Sequence, residues 1–163
     1  MSETRAILEQ LDAVRAETLK RFAPLTQAQL DWRPSTGSGC DGSNSELAWS
    51  LGEVFMHIAI DEYYLRDNIA RPLLEGVQPP HGLSFLPPPP SYATPKDVIA
   101  FWFERARLLT RRTLETLPAY INRELKHGGG LDPMNGLEWF FGYAGHEAYH
   151  HRQLDALIAA SLQ

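Results

Sequence analysis

The chain has 163 residues, a formal net charge of -5 and a pI near 5.6, with 44% hydrophobic and 21% charged residues. That size and apolar content suit one domain over residues 1–163 with a sizeable core, and the acidic balance argues against a nucleic-acid partner. A lone Cys40, no apolar leader after Met1 and no run of about 18 apolar residues set the expectation of a cytoplasmic protein with no disulfide and no membrane attachment.

Four segments carry helical periodicity. The first runs from about Glu3 to Phe22 on a stripe of Ala6, Ile7, Leu11, Val14, Thr18 and Leu19, and Pro24 stops it. The second opens at Ser50-Leu51-Gly52-Glu53, the spacing of a capping box, and is expected to continue to about Ala70, ending before Pro72. The third starts at Thr94-Pro95-Lys96-Asp97, a cap residue followed by Pro at the first helical position, and carries Val98, Phe101, Trp102, Leu108 and Leu109 before Pro118. The fourth starts near Asn135 and runs through Trp139, Tyr143, His146, His150, Leu154 and Leu157. No segment alternates with period two, so the pattern predicts an all-α four-helix bundle.

The connections are uneven. More than twenty residues separate the second helix from the third, including Pro79, Pro80 and Pro87 to Pro90, which is too long for a hairpin and predicts a crossover at the end of the bundle. Ser35 to Ser45 is rich in Ser and Gly, and its Cys40 reads as a loop residue rather than an activated nucleophile. Arg105, Arg107, Arg111 and Arg112 on the third helix read as a solvated face. Trp139, Phe140, Phe141 and Tyr143 read as core packing.

The most chemically specific string is His146-Glu147-Ala148-Tyr149-His150. Two imidazoles four residues apart on a helix lie roughly 40° apart in azimuth and about 6 Å apart along the axis, close enough to share one metal ion. The same letters spell H-E-x-x-H, the zincin signature, in which the Glu is the general base. A zincin takes its third ligand downstream of that string. Here only Asp155 follows as a carboxylate, so a protease is not expected and a third ligand must come from upstream.

His81 and His127 sit among Pro and Gly in contexts that read as flexible surface, whereas His57 lies within the second helix. His57 with His146 and His150 would complete a set of three nitrogens from facing helices, and His151 lies too far round to join. Three imidazoles suit a divalent ion, with Zn or Ni expected first and Fe, Co, Mn or Cu as the others. Asp61, one turn after His57, together with Glu62 and Glu147, are the candidates for orienting a ligand imidazole or accepting a proton. Glu147 is rotated about 100° from His146, which predicts a supporting or surface role at the flank of the site.

Three stretches carry a family resemblance: Leu25 to Pro34, Trp49 to Val54 leading to His57, and His146 to Leu154. Over nearly its whole length the chain resembles the DinB-like proteins, relatives of YfiT-type metal hydrolases. In that family the last motif reads H-x-x-x-H, two residues, then Gln, which fits Gln153 and selects His146 and His150 over His151; Arg152 stands where Gly is usual. The resemblance implies a divalent metal on the three histidines and a homodimer. It also implies a small-molecule substrate and a thiol-dependent activity, either S-transfer or isomerisation with a low-molecular-weight thiol, or else metal-dependent hydrolysis. The competing class is a non-catalytic metal or small-molecule binding module, although a structural zinc site is normally closed by four ligands.

Overall fold

The computed structural model describes residues 3–35, 49–80, 94–116, 123–128 and 132–162. The protein is all-α: α1 spans Glu3–Phe22, α2 Gln27–Asp31, α3 Leu51–Leu65, α4 Arg71–Leu74, α5 Lys96–Thr116 and α6 Gly136–Ser161. Among the described residues there is no strand, only an isolated antiparallel bridge between His127 and Met134. Cys40, His81 and the prolines from Pro87 to Pro90 lie outside the described residues.

Local chemistry accounts for where the helices start. Ser50 and Glu53 satisfy each other's backbone N–H groups at the head of α3, and Asn135 and Glu138 do the same for α6. A third reciprocal cap, Thr26 with Gln29, starts the five-residue α2, which the periodicity did not predict because it buries only Leu30. At α5 a side chain remote in sequence contributes to the cap. The helix begins one residue after Pro95, and the N–H of Lys96 is taken by Gln27 Oε1 at 2.8 Å, so the short α2 caps a helix remote in sequence.

The second segment does not stop before Pro72. After Leu65 the helix widens into a π-helical turn, Arg66–Ala70, and then continues as α4 through Pro72 to Leu74. Arg71 N–H bonds to Arg66 O across the widened turn, Pro72 stands in the first turn of α4 where its missing N–H is tolerated, and the chain ends its helical run at Gly76, whose φ of 77° suits a residue without Cβ. Gly76 N donates to Leu73 O and Val77 N to Pro72 O, closing the last carbonyls.

Among the described residues four long helices, α1, α3, α5 and α6, enclose the core. α1 packs on α5 and α6, and α3 packs on the same two. Arg15 meets Phe103 and Asp12 meets Arg111, so α1 and α5 run in opposite directions; Arg15 meets Glu147 and Arg21 meets Asp155, so α1 and α6 run the same way. His146 lies by Asp61, and Gly136 by Ala70, so α3 and α6 are antiparallel.

The apolar interior is divided in two. One cluster gathers Leu11, Leu73, Leu114, Phe140 and Tyr143; the other gathers Phe22, Phe55, Ile58, Phe103 and Leu154. On every long helix a buried charged residue stands between its contributions to the two clusters: Arg15 on α1, Glu62 on α3, Arg107 on α5 and Glu147 on α6. Arg15 donates to Glu147 at 2.7 Å, to Glu62 at 2.8 Å and to the Phe103 carbonyl at 3.1 Å. Arg107 donates to Glu62 at 2.9 Å and to Asp12 at 3.1 Å. Arg107 is therefore not part of a solvated face, although Arg105 and Arg112 are exposed. Two guanidinium groups matched to two carboxylates make this layer neutral, which is the condition for burying charge at tolerable cost.

α6 approaches the π-helical turn closely at its first residue. A Cβ on Gly136 would lie 2.6 Å from Leu74 Cγ and 2.7 Å from the Ala70 carbonyl oxygen, whereas one on Gly145 would meet nothing within 4 Å. Gly136→Ala is expected to lower the unfolding free energy by about 1–3 kcal/mol, and Gly145→Ala to raise it by up to ~1 kcal/mol through helix propensity. Urea unfolding of the two variants checks this, and equal behaviour would show that α6 can shift without cost.

Candidate metal centre

Antiparallel packing of α3 on α6 brings His57 against His146 and His150. Each of the three offers a ring nitrogen, and these atoms all lie within 4.8 Å of one another. The ring centroids are 4.7 to 5.4 Å apart, with the planes close to perpendicular. His146 Nε2 and His150 Nε2 are 3.2 Å apart. The four-residue spacing on α6 thus does what helical geometry requires of it.

The partners of these rings fix how they present themselves. Gln153 Oε1 lies 2.9 Å from His150 Nδ1, and since an amide oxygen only accepts, Nδ1 carries the proton and Nε2 keeps its lone pair toward His146. This gives Gln153 a physical role that sequence reasoning had only as a motif position. Asp61 Oδ2 lies 3.1 Å from His57 Nε2 and 3.6 Å from His146 Nε2. The ring of Trp49 stands 4.9 Å from that of His57. His57 Nδ1 is buried and has no hydrogen-bond partner among the described residues.

Burial dominates the protonation states. It pushes the His57 imidazole down to about 3, with repulsion from His150 and His146 adding to it, and pushes His146 down to about 4 with the help of His150. His150 is lowered by burial, against the opposing pull of the Gln153 hydrogen bond. The Asp61 carboxyl is pushed up to about 7, again by burial. Three imidazoles kept neutral with a carboxyl at their edge, one ring nitrogen being an orphan, form a donor set that a divalent cation would satisfy.

Of the three candidate acids and bases, only Asp61 reaches the histidines. Glu62 and Glu147 both belong to the charged layer, where Arg15 and Arg107 occupy their oxygens. Glu147 is not at the surface: it is fully buried and accepts a further hydrogen bond of 2.6 Å from Thr18 Oγ1. The Glu of the H-E-x-x-H string is therefore held by α1. His151 turns the same way, its Nε2 lying 2.9 Å from Thr18 Oγ1. His127 is buried rather than in flexible surface, its backbone paired with Met134 and its ring beside Trp139, 6.2 Å between centroids. No helix among the described residues is long and apolar enough to cross a membrane.

A family model described as the DinB superfamily matches residues 10–154, a span that holds all three histidines and Gln153. No curated protein and no solved structure matches the chain.

Proposed function

Since the chain belongs to the DinB superfamily, we propose that His57, His146 and His150 hold one divalent metal ion, zinc or nickel first, and that the protein is a metal-dependent enzyme acting on small electrophiles with a low-molecular-weight thiol. Convergence of three neutral ring nitrogens from two helices is the observation that carries this reading. When bound, such an ion supplies Lewis acidity, lowering the pKa of a bound water or thiol so that a nucleophile exists near neutrality. The chain's own groups do the rest. Gln153 holds the His150 ring in one tautomer and orientation. Asp61, at the edge of the cluster beside His57 and His146, is the group placed to take a proton from the nucleophile. The long helices are read as a four-helix bundle whose α3 to α5 connection crosses its end.

Three nitrogen donors with one adjacent carboxyl leave room for a ligand, which favours a reactive site over a closed structural one. The two apolar clusters and the charged layer are built without the ion. Chelation is therefore expected to abolish turnover of an electrophile and thiol pair while the helical circular dichroism stays, and added zinc or nickel restores the rate. Loss of helix on chelation, with no turnover across several thiols before it, would make the ion a structural tie and the protein a binding module. A peptidase is disfavoured because Glu147 is neutralised by Arg15 rather than free to act as a base.

A further inference from the structure

Beside the histidines lies a cavity of about 130 Å³ between α3 with its π-helical turn and the first half of α6. Asp61 and His146 are the acid and the base on its wall; much of the remainder is Tyr64, Ile69, Met134 and Trp139. Tyr143 also lines it, but its hydroxyl is committed to the Ile58 carbonyl. No lysine or arginine lines the cavity among the described residues.

Because the two helices are antiparallel, the cavity has a direction. Asp61 and His146 share one end, and Ile69 and Trp139 lie seven or eight residues further along their helices, about 10–12 Å away at 1.5 Å per residue. A dry apolar cavity of roughly 150 Å³ accepts a benzene ring, so this one has room for a group of that scale. Among the described residues no lysine or arginine could pair with an anion buried against these walls, and the carboxylate that could pair with a cation, Asp61, is at one end, so a charge carried into the Ile69 and Trp139 end would be desolvated without a counter-charge. The charged groups of a common cellular thiol are therefore disfavoured at the apolar end.

Resting on the metal reading above, we propose that this cavity binds the uncharged, apolar body of the electrophilic substrate, a phenyl or a four- to six-carbon alkyl group, with its reactive end at Asp61 and His146 and the charged part of the thiol outside. The substrate class is thereby narrowed to small neutral electrophiles with a compact hydrophobic tail.

The test uses the full chain loaded with zinc, with the isoleucine δ-methyl groups labelled for NMR. Ile69 lines this cavity; Ile7 lines a neighbouring one of about 500 Å³ that shares Met134 and Gly142 with it, and Ile99, in the other apolar cluster, is the reporter remote from both. Benzyl alcohol is expected to shift the Ile69 methyl far more than that of Ile7 and to leave that of Ile99 in place; 4-aminobutan-1-ol in its ammonium form, which matches pentan-1-ol in size but must put a charge or a hydroxyl into the apolar end, is expected to bind at least about tenfold more weakly than pentan-1-ol. Stoichiometric zinc with a stationary Ile69 line, a shift confined to Ile7, or equal binding of 4-aminobutan-1-ol and pentan-1-ol would overturn the proposal and leave the metal reading intact. A moving Ile69 line in protein that takes up no zinc would overturn the metal reading and keep the cavity as an apolar ligand site.

Discussion

Arg15→Met is expected to remove about 3–5 kcal/mol from the unfolding free energy, more than any single change at the protein surface. Arg15 is 5% exposed, and its guanidinium is the link between Glu62 and Glu147, which are 1% and 0% exposed. Burial alone would lower its pKa, but the two carboxylates more than reverse that and hold it charged. Methionine fills much of the same volume and leaves Arg107 facing two buried carboxylates, 2.9 Å from Glu62 and 3.6 Å from Glu147. One negative charge is then uncompensated. For a chain of this length the loss corresponds to a fall in melting temperature of about 6–20 °C. Adding Glu147→Gln to Arg15→Met should recover part of it, because the unmatched charge goes with the carboxylate. A loss below about 1 kcal/mol for Arg15→Met in urea would mean that water already reaches the layer.

The second large effect concerns the metal. His57→Ala should weaken zinc binding by more than about a hundredfold, so that dialysed protein retains no stoichiometric ion, while helix content is unchanged. His57 is the only one of the three nitrogen donors on α3, and its loss leaves a two-point site on one helix. Gln153→Ala should cost less, about 10–100-fold, as is usual for a group that orients a ligand without touching the ion. His151→Ala should cost almost nothing, since that ring pairs with Thr18 on α1. Metal analysis together with competitive titration separates the four proteins. Undiminished zinc in His57→Ala would dispose of the three-histidine site.

Much of this architecture is legible in the chain because it depends on local signals. The bounds of α1 and the starts of α3 and α6 follow from a stripe, two reciprocal caps and a proline, all acting within a few residues. The histidine cluster is legible for a related reason: four residues on a helix fix the His146 and His150 geometry before any tertiary contact forms. The failures have a common physical origin. Leu11, Arg15, Thr18 and Phe22 share one face of α1, but an arginine on an apolar face reads as an edge residue, and its partners stand 47 and 132 positions away. Arg107 reads as solvated, and Glu147 as a flanking or surface residue, for the same reason, and both are buried. Pro72 reads as a stop because nothing nearby announces a π-helical turn. The cavity is illegible because Trp139 and Tyr143 pack the core and wall an opening with the same side chains.

The charged layer also works as a gauge. Sliding α6 past α1 by one helical turn moves Glu147 about 5.4 Å, out of a 2.7 Å pair with Arg15, and brings Tyr143 or His151 to its height. The close approach of Gly136 to Leu74 and Ala70 opposes the same slip sterically, and the ion pairs add the cost of separating buried charges. Glu147 is the neighbour of His146 and stands three residues before His150; Glu62 stands five after His57. The ion pairs that lock the heights of α3 and α6 therefore calibrate how closely three imidazoles converge, and the tolerance of the histidine cluster is inherited from charges that never touch it.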